Sequence, residues 1–263
     1  MKERAFNLFA TALQQLTGSV QALGDRHVER PNIDIIVDVK RYDLQMPDIL
    51  CERCNSYSQH GEDIIIDSLL RAAMVEPSDR PMILELGSNH PVNMSNTWML
   101  YQRGFRSVLV DANPRYEHDT LKSRPEDIFL CAGVATSDAR TATLYVPQHA
   151  EVASLSRSFV LSWYERRSLC AEVEELEVKL YSVNDIFSMY FTPPGPVVLT
   201  IDIEGLDFEI LQSIDWANWK PPIICIERDR RERSSAAARS YLKERGYVIT
   251  AATAVNDIFL LTS

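Results

Sequence analysis

The sequence predicts an α/β fold: a mostly parallel central sheet with an antiparallel C-terminal strand and helices on both faces. Three observations carry that expectation. Apolar strand-like runs alternate with helical segments from residue 82 onward, the pattern of a parallel sheet covered by crossover helices. Two of the runs end in polar residues at their carboxyl ends, Glu85-Leu86-Gly87-Ser88-Asn89 and Val110-Asp111-Ala112-Asn113, where open α/β sheets bind ligands. The last two runs are too close in sequence for a crossover helix and pair best as antiparallel strands.

Taken in order, the spacing predicts a helix over 63–74, a strand over 82–87, a helix over 95–103, a strand over 107–112 and a helix over 114–122. A strand over 128–135 follows, then a second over 141–146. Segment 147–176 is polar and mixed, with one helix and an acidic run (Glu172, Glu174, Glu175, Glu177) that reads as a solvated face. A strand from 177 to 183 leads into a helix over 184–190. Thr192-Pro193-Pro194-Gly195-Pro196 breaks the chain. Strands over 197–203 and 223–227, a helix over 234–245 and strands over 247–250 and 257–261 complete the fold.

Residues 1–55 stand apart as a helical and extended extension, and 56–263 form the main domain. Phe6, Phe9, Leu13, Leu16, Val20 and Leu23 make one apolar helical stripe. It can pack on its own domain, form a seam between two copies of the chain, or lie on a membrane surface. The few Lys and Arg on its polar face make the last reading the weakest. A short strand is expected over 33–39. Cys51 and Cys54 form a lone C-x-x-C, two ligands short of a structural zinc site.

The composition, 46% hydrophobic and 24% charged, is that of a globular protein. A net charge of −10 opposes binding to nucleic-acid backbones. Five cysteines without framework spacing suit a reducing, cytoplasmic compartment. No apolar stretch is long enough to span a membrane, and the N-terminal segment lacks the continuous apolar core of a secretory signal.

The chemistry gathers at the strand ends. Gly87 lets its loop approach a ligand closely, and Asp111, 24 residues later, is placed to accept hydrogen bonds from ribose hydroxyls. A pyrophosphate cofactor is poorly served, because Gly87-Ser88-Asn89-His90-Pro91-Val92 keeps only the first glycine of G-x-G-x-x-G. A cofactor with a ribose and an amino-acid part, such as S-adenosylmethionine, fits better. Asp202 and Glu204, two apart on an expected strand, should face one side as a base, a metal site or a ligand grip. A helix-capping role for them stays open. His90 and His149 are further candidate bases.

These residues resemble the FkbM-type S-adenosylmethionine-dependent methyltransferases, a class I, Rossmann-like group. The resemblance runs through Ser58-Gln59-His60-Gly61-Glu62-Asp63, Leu84-Glu85-Leu86-Gly87-Ser88-Asn89-His90-Pro91 with Ser95-Asn96-Thr97, Val110-Asp111-Ala112-Asn113-Pro114, and Ile201-Asp202-Ile203-Glu204-Gly205. Ile223 to Glu227 and Asn256 to Phe259 resemble the later strands. Pro91 stands where many members carry a second glycine, and Thr200 where a lysine is common.

The resemblance implies O-methylation of a hydroxyl on a sugar, glycolipid, polysaccharide or related natural product. It implies cofactor contacts from Gln59, Glu62, Asp63, Glu85, Gly87, Ser88, Asn89, Asn96, Asp111, Ala112, Asn113 and Asp202. Asp202, Glu204 and His90 are the candidate catalytic residues, and Asp202, Glu204 and Glu227 could hold Mg²⁺. The acceptor is then a small molecule or glycan, and segment 147–176 its lid or recognition insertion. There, Phe159, Trp163 and Tyr164 could stack on a sugar, and the basic run from Arg228 to Arg233 could hold an anionic acceptor. Competing readings are a nucleotide-linked oxidoreductase and a catalytically silent scaffold with the same sheet.

Overall fold

The computed structural model describes residues 56–137, 139–170, 172–228 and 233–262. The N-terminal stripe, the strand expected over 33–39 and the Cys51/Cys54 pair lie outside these residues.

Seven strands form the main sheet: β1 (Ile83–Leu86), β2 (Ser107–Asp111), β3 (Ile128–Cys131), β7 (Val198–Ile201), β8 (Ile223–Glu227), β9 (Tyr247–Ala252) and β10 (Asn256–Leu261), in the order β3-β2-β1-β7-β8-β10-β9. The first five are parallel, and β10 runs antiparallel to both β8 and β9. The predicted α/β sheet with its antiparallel C-terminal edge is therefore the observed one.

Alternation along the central strands separates two cores. Leu84, Leu86, Leu199, Ile201, Ile224 and Ile226 point to one face, while Ile83, Val198, Ile223 and Cys225 point to the other. Helix α1 (Glu62–Ala72) covers the second face with Ile66 and Leu70. Helices α2 (Trp98–Gln102) and α3 (Glu117–Ser123) follow β1 and β2. Asp63 ties down the entry to α1, accepting from the Tyr57 amide (2.7 Å) and the hydroxyls of Ser56 (2.7 Å) and Ser58 (2.8 Å).

The strand predicted over 128–135 is broken. The Ala132 amide donates to the Asp111 carbonyl, and the chain then leaves the main sheet as β4 (Gly133–Ala135). With β5 (Thr141–Pro147) and β6 (Val173–Ser182), β4 forms a three-stranded sheet in the order β4-β6-β5. The acidic run is solvated as expected, but on a strand: Glu175 and Glu177 are exposed on β6, while Val178 and Leu180 are buried. Helix α4 (Arg157–Glu165) lies between β5 and β6, with its first turn capped by Ser156. Helices α5 (Val183–Tyr190), α6 (Asp207–Ser213) and α7 (Arg233–Lys243) complete the layers. Among the described residues no helix is long and apolar enough to cross a membrane.

Candidate active site

A cavity of about 1230 Å³ opens beyond the carboxyl ends of β1, β2, β7 and β8. Its floor is the contact between two loops. Gly87 donates its amide to the Val110 carbonyl at 2.8 Å and has φ +79°, a left-handed conformation that glycine adopts without strain. A Cβ there would overlap the backbone carbonyl of Asp202, whose own amide donates to Leu86 at 2.9 Å. The glycine thus lets the β1 and β7 exits close against each other. Next to it, the Ser88 hydroxyl is buried on the cavity wall without a hydrogen-bond partner among the described residues. Such a group is costly to leave unsatisfied and suits a polar ligand.

Asp111 organises the second side. One carboxylate oxygen accepts from the Asn89 amide at 2.7 Å and the other from the Asn113 amide at 2.8 Å. Each oxygen keeps a further acceptor site for a ligand hydroxyl. Burial pushes the Asp111 carboxyl up to about 6, against those two amides, which pull it down. Glu85 is buried on the β1 end and accepts from the Thr97 hydroxyl at 2.5 Å. Burial raises it to about 7, although the Arg124 guanidinium works in the opposite direction. Arg124 is itself fully buried. It donates to Asp127 at 2.7 Å and to Thr97 at 3.0 Å, and stands 3.9 Å from Glu85.

The carboxylate pair sits differently from its prediction. Strand β7 ends at Ile201, so Asp202 and Glu204 lie on a turn and do not share a strand face. Glu204 has φ +58°, and Asp207 holds the turn by accepting from the amides of Ile203 (2.9 Å) and Gly205 (3.1 Å). The turn still brings the two acids together, and the end of β8 adds Glu227. Carboxylate oxygens of all three lie within 4.8 Å of one another. Burial, and then the negative charges of Glu204, Asp207, Glu85 and Glu62, hold the Asp202 carboxyl well above the usual range.

Segment 147–176 forms much of the opposite wall, with Ser154, Phe159, Ser162, Trp163, Arg166 and Arg167 among its lining residues. It is tied to both loops. Asn89 Nδ2 donates to the Glu151 carbonyl at 3.2 Å, and Ser154 Oγ donates to the Glu204 carbonyl at 2.8 Å. Phe159 packs against Gly205, its Cδ2 3.1 Å from where a Cβ would stand. Tyr164 is buried beneath the wall, its hydroxyl accepting from the His149 amide at 3.0 Å.

Of the other predicted residues, Gln59, Asn96 and Ala112 line the cavity, whereas Glu62, Asp63 and Asn113 do not. Glu62 accepts from Thr253 Oγ1 (2.5 Å) and the His60 amide (2.8 Å), fastening the start of α1 to the β9–β10 turn. Asn113 caps the turn Pro114–Tyr116. His90 lies off the cavity, its Nδ1 accepting from the amides of Val92 (3.1 Å) and Asn93 (3.0 Å). His149 also lies off the cavity, beside Trp163 and Glu151. In the basic run, Arg228 donates to the Thr253 carbonyl at 2.6 Å and sits 3.5 Å from Asp257. Residues 229–232 and the side chain of Arg233 lie outside the described residues.

Sequence reasoning missed Arg124, Ser154, Arg166 and Arg167. Arg124 and Asp127, three apart, carried a signal for an ion pair but none for its burial. Residues 85–249 match a family model described as the methyltransferase FkbM domain. No curated protein matches the chain.

Proposed function

The chain belongs to the FkbM methyltransferase family and is an S-adenosylmethionine-dependent methyltransferase, and from that premise we propose that it methylates a hydroxyl of a sugar, glycolipid, polysaccharide or related natural product. One observation carries the reading. A single cavity holds both the Gly87–Asp111 side, suited to a ribose-bearing ligand, and the Asp202–Glu204–Glu227 cluster, suited to a hydroxyl.

The residues fit the cofactor. Ser88 offers an unsatisfied buried hydroxyl, Asp111 offers acceptors for ribose, and the cavity's carboxylates favour a cationic sulfonium. S-adenosylmethionine supplies an electrophilic methyl group when bound. This chain then has to hold the acceptor oxygen in line at near-attack distance and remove its proton. Asp202 and Glu204 are the groups that would take that proton from the hydroxyl oxygen when the methyl group passes from sulfur to oxygen. Burial and the neighbouring acids raise the Asp202 carboxyl above its usual range, which makes its ionised form a stronger base. The same two acids with Glu227 make an all-oxygen donor set that suits Mg²⁺, which would lower the acceptor's pKa.

The described cysteines, Cys131, Cys170 and Cys225, are free thiols, which suits a reducing cytoplasm. Titration calorimetry with S-adenosylhomocysteine and with NAD⁺, followed by labelled-methyl transfer to glycan and lipid extracts, tests the reading. Binding of the former alone and base-stable label in a glycan or glycolipid are expected. Label confined to protein, nucleic acid or base-labile esters would refute the hydroxyl assignment. Transfer in EDTA at an undiminished rate would remove the metal. Glu204→Gln should lower kcat by about 10²–10⁴ and leave S-adenosylhomocysteine affinity within a few-fold.

A further inference from the structure

The charge on the cavity wall is unevenly placed. Among the described residues eight carboxylates line it, and they come from the strand ends and the turn after β7, from α6 and from Glu151. Only three basic side chains of the described residues join them: Arg166, Arg167 and Arg228. Arg228 is engaged by Asp257 and the Thr253 carbonyl. The other two sit together at the end of α4, and among the described residues neither forms an ion pair. Arg166 Nη1 donates to Ser162 Oγ at 3.2 Å. Arg167 lies over the Trp163 ring, 3.7 Å from its centroid, with Nη1 on the Trp163 carbonyl at 3.3 Å. Each of these bonds uses one of a guanidinium's five donors.

The spacing makes this a built wall. Phe159, Ser162, Trp163 and Arg166 recur at helical intervals, so one face of α4 turns toward the cavity. That face offers two aromatic rings, a hydroxyl and two cationic forks. The cavity volume exceeds the usual range of about 300–1,000 Å³ for a single small-molecule site, leaving room for a second ligand beside the cofactor.

We propose that the α4 wall of Trp163, Arg166 and Arg167 is an acceptor subsite for a sugar bearing an anionic group, carboxylate or phosphate. The proposal rests on the sugar-hydroxyl reading above and narrows it. Among the described residues the wall around Asp202 and Glu204 is lined by carboxylates, so the two arginines favour an orientation with the acceptor's charge at α4 and its neutral hydroxyls toward Asp202 and Glu204. The planar guanidinium matches either oxyanion, and Trp163, which lines the cavity beneath Arg167, adds apolar surface beside the two forks.

The probes are glucose, glucuronate and glucose 6-phosphate, titrated into the full chain saturated with S-adenosylhomocysteine at low salt. At least one of the two anions should bind roughly tenfold or more tightly than glucose, and the advantage should shrink as salt rises. Which of them binds tighter separates a carboxylate from a phosphate. In the double variant Arg166→Gln, Arg167→Gln the advantage should vanish while S-adenosylhomocysteine affinity stays within about twofold. Both side chains are exposed, so the fold should survive. Equal binding of glucose and both anions, no binding of either anion, or an advantage that persists in the variant overturns the subsite. Failure of the methyltransferase reading would show separately, as absent S-adenosylhomocysteine binding.

Discussion

A Cβ on Gly87 would overlap the carbonyl oxygen of Asp202, so the cofactor loop and the carboxylate turn share one wall of backbone. Gly87→Ala must move one of them, and it must also hold alanine at φ +79°. The two costs together should lower stability by about 2–4 kcal/mol. Urea unfolding measures that loss, and calorimetry should show S-adenosylhomocysteine affinity reduced in whatever remains folded. A variant with parental stability and affinity would mean that the two loops are not in contact.

Asp111 is held by two amides, one on each oxygen. In Asp111→Asn one of those acceptors becomes an NH₂ group, which opposes an amide donor and rotates the Asn89 or Asn113 backbone. Cofactor affinity should fall by about 10- to 100-fold, equivalent to roughly 1–3 kcal/mol. Calorimetry with S-adenosylhomocysteine reads the change. Unchanged affinity would remove Asp111 from the cofactor site.

The centre of the main sheet was legible because its inner strands are buried on both faces and read as continuous apolar runs, as in Ser107–Asp111 and Ile223–Glu227. The switch of sheets at Ala132 was not, because 128–135 is apolar throughout and the break depends on the distant Asp111 carbonyl. Strand β6 was read four residues short. Its solvent face is Glu175, Glu177 and Lys179, and Glu174, exposed on the opposite face ahead of Leu176 and Val178, masked the alternation. The nearness of Asp202 and Glu204 was legible, but its cause was not: a turn held by Asp207 replaces the expected strand pleat. The ties from Asn89 and Ser154 join residues 62 and 50 apart, a separation that no local pattern encodes.

The buried acids set the direction of the pH dependence. Glu85 is raised from 4.5 to about 7 and Asp111 from 3.8 to about 6. Across that window the folded chain keeps protons that the unfolded chain has released, so these two groups lower stability as pH rises from about 4 to about 7. Asp202, also raised, acts in the same direction; Glu62, which is lowered, acts oppositely and only below its ordinary value. Full ionisation of Glu85 costs on the order of 3 kcal/mol. The urea midpoint should therefore drop between pH 5 and pH 8, and Glu85→Gln should flatten the slope. A midpoint that rises with pH over this range would contradict the burial of these groups.

Ser154 separates folding from catalysis. Its buried hydroxyl donates to the Glu204 carbonyl at 2.8 Å, at a residue whose φ is +58°. The same hydroxyl oxygen accepts from the Ser156 amide at 3.0 Å, so Ser154→Ala removes two hydrogen bonds, at about 1 kcal/mol of stability each. The larger consequence of Ser154→Ala should be kinetic, because the Glu204 carboxylate then samples positions away from Asp202 and the acceptor oxygen. A misplacement of about 1 Å can cost on the order of 100-fold in rate. Initial rates of labelled-methyl transfer should show kcat falling by about 10-fold or more, with S-adenosylhomocysteine affinity unchanged, since the cofactor loop keeps its own tie from Asn89 to Glu151. A loss of cofactor affinity equal to the loss of kcat would instead mark Ser154 as a general support of the wall.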